Sequence, residues 1–150
     1  MSDGFRINLG SGQRPFESPT WVNVDCQDKW KPDIVADGAN LHMFQNGCAD
    51  MVVMHHVLEH FGCGEANKVI QECYRILRPG GSLIVTVPEI RLLCRGYLQS
   101  RINTQIFMTN LYGAYMGDEA DRHKWGYTGE SLATYLQECC WWTTVRTFDF

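Results

Sequence analysis

This sequence predicts an α/β fold around a mostly parallel, doubly wound sheet, and three observations carry the prediction. Short apolar runs alternate with turns and with one strongly helical stretch. The first run, Ile7-Asn8-Leu9, passes directly into Gly10-Ser11-Gly12. Two later runs, Trp21-Val22-Asn23-Val24-Asp25 and Asp33-Ile34-Val35-Ala36-Asp37, each finish on an aspartate. Glycine turns and acids at the carboxyl ends of strands mark the edge where open α/β sheets take ligands.

Composition narrows the class. A chain of 150 residues has room for one core, so residues 1–150 are expected to form a single domain. Hydrophobic residues at 45% and charged residues at 20% exclude a disordered chain. A formal net charge of −4 with no basic block argues against a general nucleic-acid or membrane-surface binder. No apolar run approaches the roughly 18 residues of a membrane span and no signal-peptide pattern opens the chain, so a cytoplasmic location is expected. Seven cysteines lie scattered without a Cys-x-x-Cys pair, which predicts mostly buried, reduced thiols rather than a zinc clamp.

The elements follow in order. Pro15 stands where a dinucleotide fingerprint needs its third glycine, so the first turn suits a smaller nucleoside-type ligand. Only about ten residues, with Pro15 and Pro19 among them, lead to the second strand, which shrinks the first crossover helix to a turn or two. Asp50-Met51-Val52-Val53-Met54 is a fourth strand, apolar as a strand covered on both faces must be. Val69, Ile70, Cys73, Ile76 and Leu77 share one helical face, so a helix is expected over 65–77, stopped by Arg78-Pro79-Gly80-Gly81. Leu83-Ile84-Val85-Thr86-Val87 is the strongest strand signal. From 89 to 127 arginine, aromatic residues and methionine predominate, with helices expected around 90–98 and 104–112 in a lid or substrate-facing region. Thr128 caps a last helix with Leu132, Ala133, Leu136 and Cys140 on one face, and residues 142–150 read as a sixth strand, leaving a C-terminal strand pair incomplete.

Leu9-Gly10-Ser11-Gly12, Asp25, Asp37, His56-Val57-Leu58-Glu59-His60 and Arg75-Ile76-Leu77-Arg78-Pro79-Gly80-Gly81-Ser82-Leu83 occur in a telling order and spacing. Together they resemble class I S-adenosylmethionine-dependent methyltransferases, in particular a small bacterial and phage-like branch with a shortened first crossover. The resemblance covers roughly residues 5–90 and implies a Rossmann-like sheet with S-adenosylmethionine across the carboxyl ends of the first strands. On that resemblance Leu9, Gly10, Ser11 and Gly12 wall the methionine part, with Ser11 and neighbouring amides donating to its carboxylate. Asp25 accepts from the ribose hydroxyls, Asp37 from the adenine amino group, Cys26 and Leu41 contact the ring faces, and His55 lines the methyl-donor end.

The same residues support two rival readings. His56-x-x-Glu59-His60 matches the inverzincin peptidases, in which two histidines one helical turn apart bind zinc; Gly62 and Gly64 interrupt such a helix, so no metal site is expected. A non-catalytic module that binds the cofactor and regulates a partner would carry the same first half. For methyl transfer, a proton acceptor near neutral pH points to histidine. His123 is the candidate, within an ionisable and aromatic stretch, 118–127, whose His-x-Trp-Gly-aromatic patch is similar to that of related small methyltransferases. Arg91, Arg95 and Arg101 read as a solvated helix face. With no Asn-Pro-Pro-aromatic block and no basic stripe, a small molecule or sugar is a better acceptor than nucleic acid. The unfinished sheet edge predicts a homodimer.

Overall fold

A computed structural model of the protein describes residues 5–114 and 118–148. The chain divides into two units, Met1–Leu58 with Gly64–Thr86 and Glu59–Cys63 with Val87–Phe150.

The first unit holds the sheet. Its strands are β1 (Arg6–Leu9), β2 (Trp21–Asp25), β3 (Ile34–Val35), β4 (Ala49–His55) and β5 (Leu77–Thr86), all parallel and ordered β3-β2-β1-β4-β5. The chain builds outward from β1 to β3, then returns to lay β4 on the other side of β1. That reversal makes the carboxyl ends of β1 and β4 the switch point of the sheet. Leu9 pairs with both Val24 and Met54, so Gly10, Asp25 and His55 leave the sheet at one level.

Alternation and helical spacing build the core. Ile7, Leu9, Val24, Val52 and Met54 are buried, as are Ala66, Val69, Ile70, Cys73 and Ile76 along one face of α1 (Cys63–Ile76). Burying each large apolar side chain stabilises by roughly 1.5–3 kcal/mol. The helix starts two residues earlier than expected because Gly64 falls in the first turn, where amides need no intrahelical partner. It ends at Ile76, and the chain turns straight into β5. Ala49 pairs with Leu77 but Met51 with Ser82, so the Pro79-Gly80-Gly81 segment bulges, with Gly80 at φ +80.

Residues 10–20 form no helix at all, a further shortening than the sequence predicts. Side chains take over the work of helix hydrogen bonds. The buried Asn23 accepts at Oδ1 from Asn8 Nδ2 (2.9 Å) and from the Phe16 amide (2.8 Å). Its own Nδ2 and backbone N donate to Asp33 Oδ2 at 3.0 and 2.7 Å, tying the crossover to the approach of β3.

Within the second unit lie α2 (Ile90–Leu98), α3 (Thr104–Tyr112) and α4 (Gly129–Cys139). Glu89, Asn103 and Thr128 cap them, each side chain accepting a first-turn amide. Thr128 and Ser131 cap reciprocally at the start of α4, with Glu130 in its first turn. The expected sixth strand is absent over 142–148, and residues 149 and 150 lie outside the described residues. A strand exists only through a ladder partner, and Trp141 and Phe148, 93% and 71% exposed, have no apolar cover to bring one. The cysteines also depart from expectation: only Cys73 and Cys140 are buried, while Cys26, Cys63 and Cys94 are exposed on turns and outer helix faces. No helix among the described residues is long and apolar enough to cross a membrane.

Candidate functional site

The glycine turn is held from β2. The amides of Gly10 and Ser11 donate to the Val24 carbonyl at 2.7 and 3.1 Å, and the Gly12 amide donates to Asp25 Oδ2 at 2.8 Å. Gly10 and Gly12 adopt φ +71 and +48, a region costly for residues with a Cβ. Their surroundings differ. A Cβ on Gly10 would sit 2.3 Å from Val57 Cγ2, whereas one on Gly12 would meet nothing within 4 Å. Gly10 thus serves packing at the switch point, and Gly12 faces open space.

Asp25 is buried at the end of β2, with Oδ1 accepting from the Gln27 amide (2.8 Å) and Oδ2 from Gly12. A carboxylate offers about four acceptor positions, so two remain for a ligand. One residue before Gly12, the Ser11 hydroxyl is buried with no hydrogen-bond partner among the described residues. The amides of Gly10, Ser11 and Gly12 already donate inside the protein, which makes the Ser11 side chain a candidate donor for a ligand carboxylate. Leu9 is a buried core side chain whose part in the wall is its backbone.

The remaining sequence candidates sort by exposure. Asp37 is exposed two residues past β3, one oxygen accepting from the Ala39 amide at 2.9 Å. Cys26, directly after Asp25, is exposed. His55 is exposed at the end of β4, its Nδ1 2.7 Å from Thr86 Oγ1. Leu41 is fully buried and its amide donates to Glu72 Oε2 at 2.7 Å, so it offers no surface to an adenine ring.

A cavity of about 460 Å³ lies elsewhere in this unit, lined by Ala39, Asn40, His42, Lys68, Gln71, Glu72 and Arg75. None of the sequence candidates lines it. Arg75 closes one wall, donating to both Glu72 oxygens (2.7 and 2.8 Å), to the Phe44 and Leu41 carbonyls and to Asn46 Oδ1. The side-chain hydrogen bond from Arg75 holds the Glu72 carboxyl below the usual carboxylate range. Glu72 and Arg75 there are spent on internal bonds, so volume alone does not make it the site; the orphan hydroxyl and aligned carboxylate mark the strand edge instead.

In the second unit His123 donates from Nδ1 to the Asn110 carbonyl (3.0 Å), and its amide donates to the Tyr112 carbonyl. His60 Nδ1 lies 3.2 Å from the Arg122 carbonyl, and the two rings meet edge to face at 4.8 Å. The Glu59 carbonyl accepts from the amides of Lys124 and Trp125 at 2.8 and 3.1 Å. Sequence reading missed Asn110 and the meeting of Glu59 with His123. Asn110 acts through its carbonyl, which leaves no mark on residue identity. The peptidase geometry does not form: His56 has φ +54 and Leu58–His60 is a single 3₁₀ turn, so His56 and His60 share no α-helical face.

These features define an open parallel α/β sheet with a ligand edge at its switch point. Residues 18–85 match the family model described as a methyltransferase domain. A solved S-adenosylmethionine-dependent methyltransferase, possible histamine N-methyltransferase, from Thermotoga maritima is 17% identical over 93% of this chain and 64% of its own, with TM-score 0.64. Another from Methanosarcina mazei is 16% identical over 93% of this chain and 80% of its own, with TM-score 0.63. One from Archaeoglobus fulgidus is 19% identical over 91% and 60%, with TM-score 0.60. At such identities the likeness is one of fold, and the chain spans 64% of the length of the Thermotoga protein. No curated protein matches the chain. Residues 18–85 thus resemble a methyltransferase domain, and the sheet shares the fold of solved S-adenosylmethionine-dependent methyltransferases.

Proposed function

We propose that the protein binds S-adenosylmethionine at the carboxyl edge of β1, β2 and β3 and transfers its methyl group to a small molecule or a sugar. The observation that carries this reading is the buried Asp25 carboxylate, aligned by the Gly12 and Gln27 amides and followed through the turn by an unpartnered Ser11 hydroxyl. These residues fit the cofactor. Asp25 has acceptor positions left for two ribose hydroxyls, and Ser11 Oγ donates to the amino-acid end. Gly12 keeps the space beside the turn open, and Asp37 takes the adenine amino group while anchoring Ala39. Cys26 contacts the ring; His55, steadied by Thr86, lines the methyl end.

When bound, the cofactor supplies an electrophilic methyl on a sulfonium sulfur. The transfer is an in-line displacement, so the chain's task is to align an acceptor and exclude water. A carbonyl only accepts, so His123 carries its hydrogen on Nδ1 toward Asn110, and Nε2 is the nitrogen that would take a proton from an acceptor hydroxyl or amine. The reading thus assigns donor binding to the first unit and acceptor chemistry to the second, in a cytoplasmic protein.

Calorimetry with S-adenosylmethionine and its demethylated product tests it. Charge-assisted hydrogen bonds contribute about 1.5–3 kcal/mol each, so losing two in Asp25→Ala weakens binding by roughly 100-fold or more. Unchanged affinity removes the ribose assignment, and no binding by the wild type removes the cofactor reading. Binding without turnover on any acceptor would instead favour a regulatory module. Among the described residues β5 pairs with β4 alone, and that open edge supports a homodimer. Sedimentation showing monomer across a wide concentration range would exclude it.

A further inference from the structure

We infer a divalent-cation site in the second unit, formed by Glu59, His60 and His123 and suited to zinc. One ligand atom from each of the three lies within 4.8 Å of the others. Sequence offered His56 as the partner of His60, and the fold supplies His123 instead.

Ring orientation is the first support. His60 and His123 each face a backbone carbonyl through Nδ1, those of Arg122 and Asn110. A carbonyl only accepts, so both Nδ1 atoms carry hydrogen and Nε2 is the ring nitrogen that would ligate. Metal-binding histidines are fixed in this way, the second nitrogen donating to a carbonyl or carboxylate that sets tautomer and angle. Burial is the second support. Glu59 is 1% exposed, so its attraction for a cation is little weakened by water. The third is space. Glu59 and His123, though not His60, line a cavity of about 10 Å³ with Asn110 and Trp125, room beside two of the three ligands for about one water-sized species. Amides of Lys124 and Trp125 clamp the Glu59 carbonyl, so loop and turn are already joined before a cation arrives.

Two imidazoles and one carboxylate suit zinc and leave a coordination position open. Metal–ligand bonds of about 2.0–2.2 Å require donor separations of roughly 3–4 Å, so binding draws the side chains together by about 1 Å. A bound cation turns His123 from a base into a ligand. The site shares His123 with the proposed methyl transfer, and cation binding is measured without turnover, so failure of either reading is seen separately.

The test uses the full chain, stripped with chelator and titrated with Co²⁺ as a coloured stand-in for Zn²⁺. One equivalent should bind with visible d–d bands and no thiolate charge-transfer band, and Zn²⁺ should displace it. His60→Ala and His123→Ala should lose the bands, Glu59→Gln should weaken binding at least tenfold, and His42→Ala should bind as wild type. Failure of the wild type to bind, a thiolate band, or unchanged binding in the histidine variants overturns the inference. Should a variant fail to fold, ¹⁵N spectra of wild-type histidines with Zn²⁺ decide: two shifted Nε2 signals support the site, and none sinks it.

Discussion

The glycine turn of the first unit and the histidine loop of the second reach order by opposite routes. In the turn, β-sheet register brings Gly10, Asp25 and His55 to one level, and side chains and amides close to those strands finish the work. In the loop, His123 and His60 are aimed by carbonyls of Asn110 and Arg122, supplied by other segments. The first arrangement is a property of the strands; the second is a property of the folded loops. Substitutions should therefore act locally in the turn and through orientation in the loop.

The largest expected effect lies in the loop. His123→Ala should lower methyl-transfer turnover by about 10²–10⁴-fold, the usual range for a lost acid–base group, while calorimetry finds the affinity for S-adenosylmethionine unchanged. Loss of cofactor affinity together with turnover would erase the division of labour between the two units.

Next come the two glycines, where one turn contains two different constraints. Gly10→Ala adds a clash with Val57 to the left-handed backbone cost and should destabilise by about 2–4 kcal/mol. Gly12→Ala meets open space and should cost only about 1–2 kcal/mol. Val57→Ala should relieve the first variant in part and leave the second untouched. Denaturant unfolding of the four proteins measures this, and equal costs at both positions would show that backbone angle alone governs the turn.

The smallest effect is in pH dependence, where the units should fail at opposite ends. In the first unit the hydrogen bond from Arg75 lowers the folded Glu72 value. Its stabilisation is present above the ordinary value of 4.5 and is lost as pH falls through the lower folded value. In the second unit, burial pushes Tyr127 up to about 12 from the ordinary 10.0. The folded form keeps a proton that the unfolded chain releases, so that stabilisation is present below pH 10 and is lost on rising toward 12. Thermal melts across pH should show a shallower acid slope in Arg75→Met and a shallower alkaline slope in Tyr127→Phe, with Tyr135 and the buried Cys140 thiol keeping part of the latter.

What the sequence revealed follows the same division. Strands β1, β2 and β4 and the α1 core face were legible because apolar runs and helical spacing are local signals, and α2 and α3 emerged over the expected ranges. Asp25 was legible as an acid at a strand end. Its two amide donors were not, since backbone groups have no letter. Leu41 misled because a loop leucine beside Asp37 looks available, whereas the Arg75 and Glu72 bonds draw its segment into the core. The sixth strand misled because β-branched and aromatic residues favour extended structure only where a neighbour supplies the ladder. The meeting of Glu59, His60 and His123 depends on chain folding between distant segments, which no short spacing encodes.

The Asn23 network has a kinetic consequence. An ordinary crossover helix can form from its own residues within about a microsecond, ahead of the sheet it will cover. Here the link between β1 and β2 has no such autonomy, because Asn23 joins Asn8, Phe16 and Asp33 only once three strands have approached. The connection is therefore expected to form late, with Asn23→Ala speeding unfolding rather than slowing folding, and Val69→Ala in the apolar stripe of α1 slowing folding.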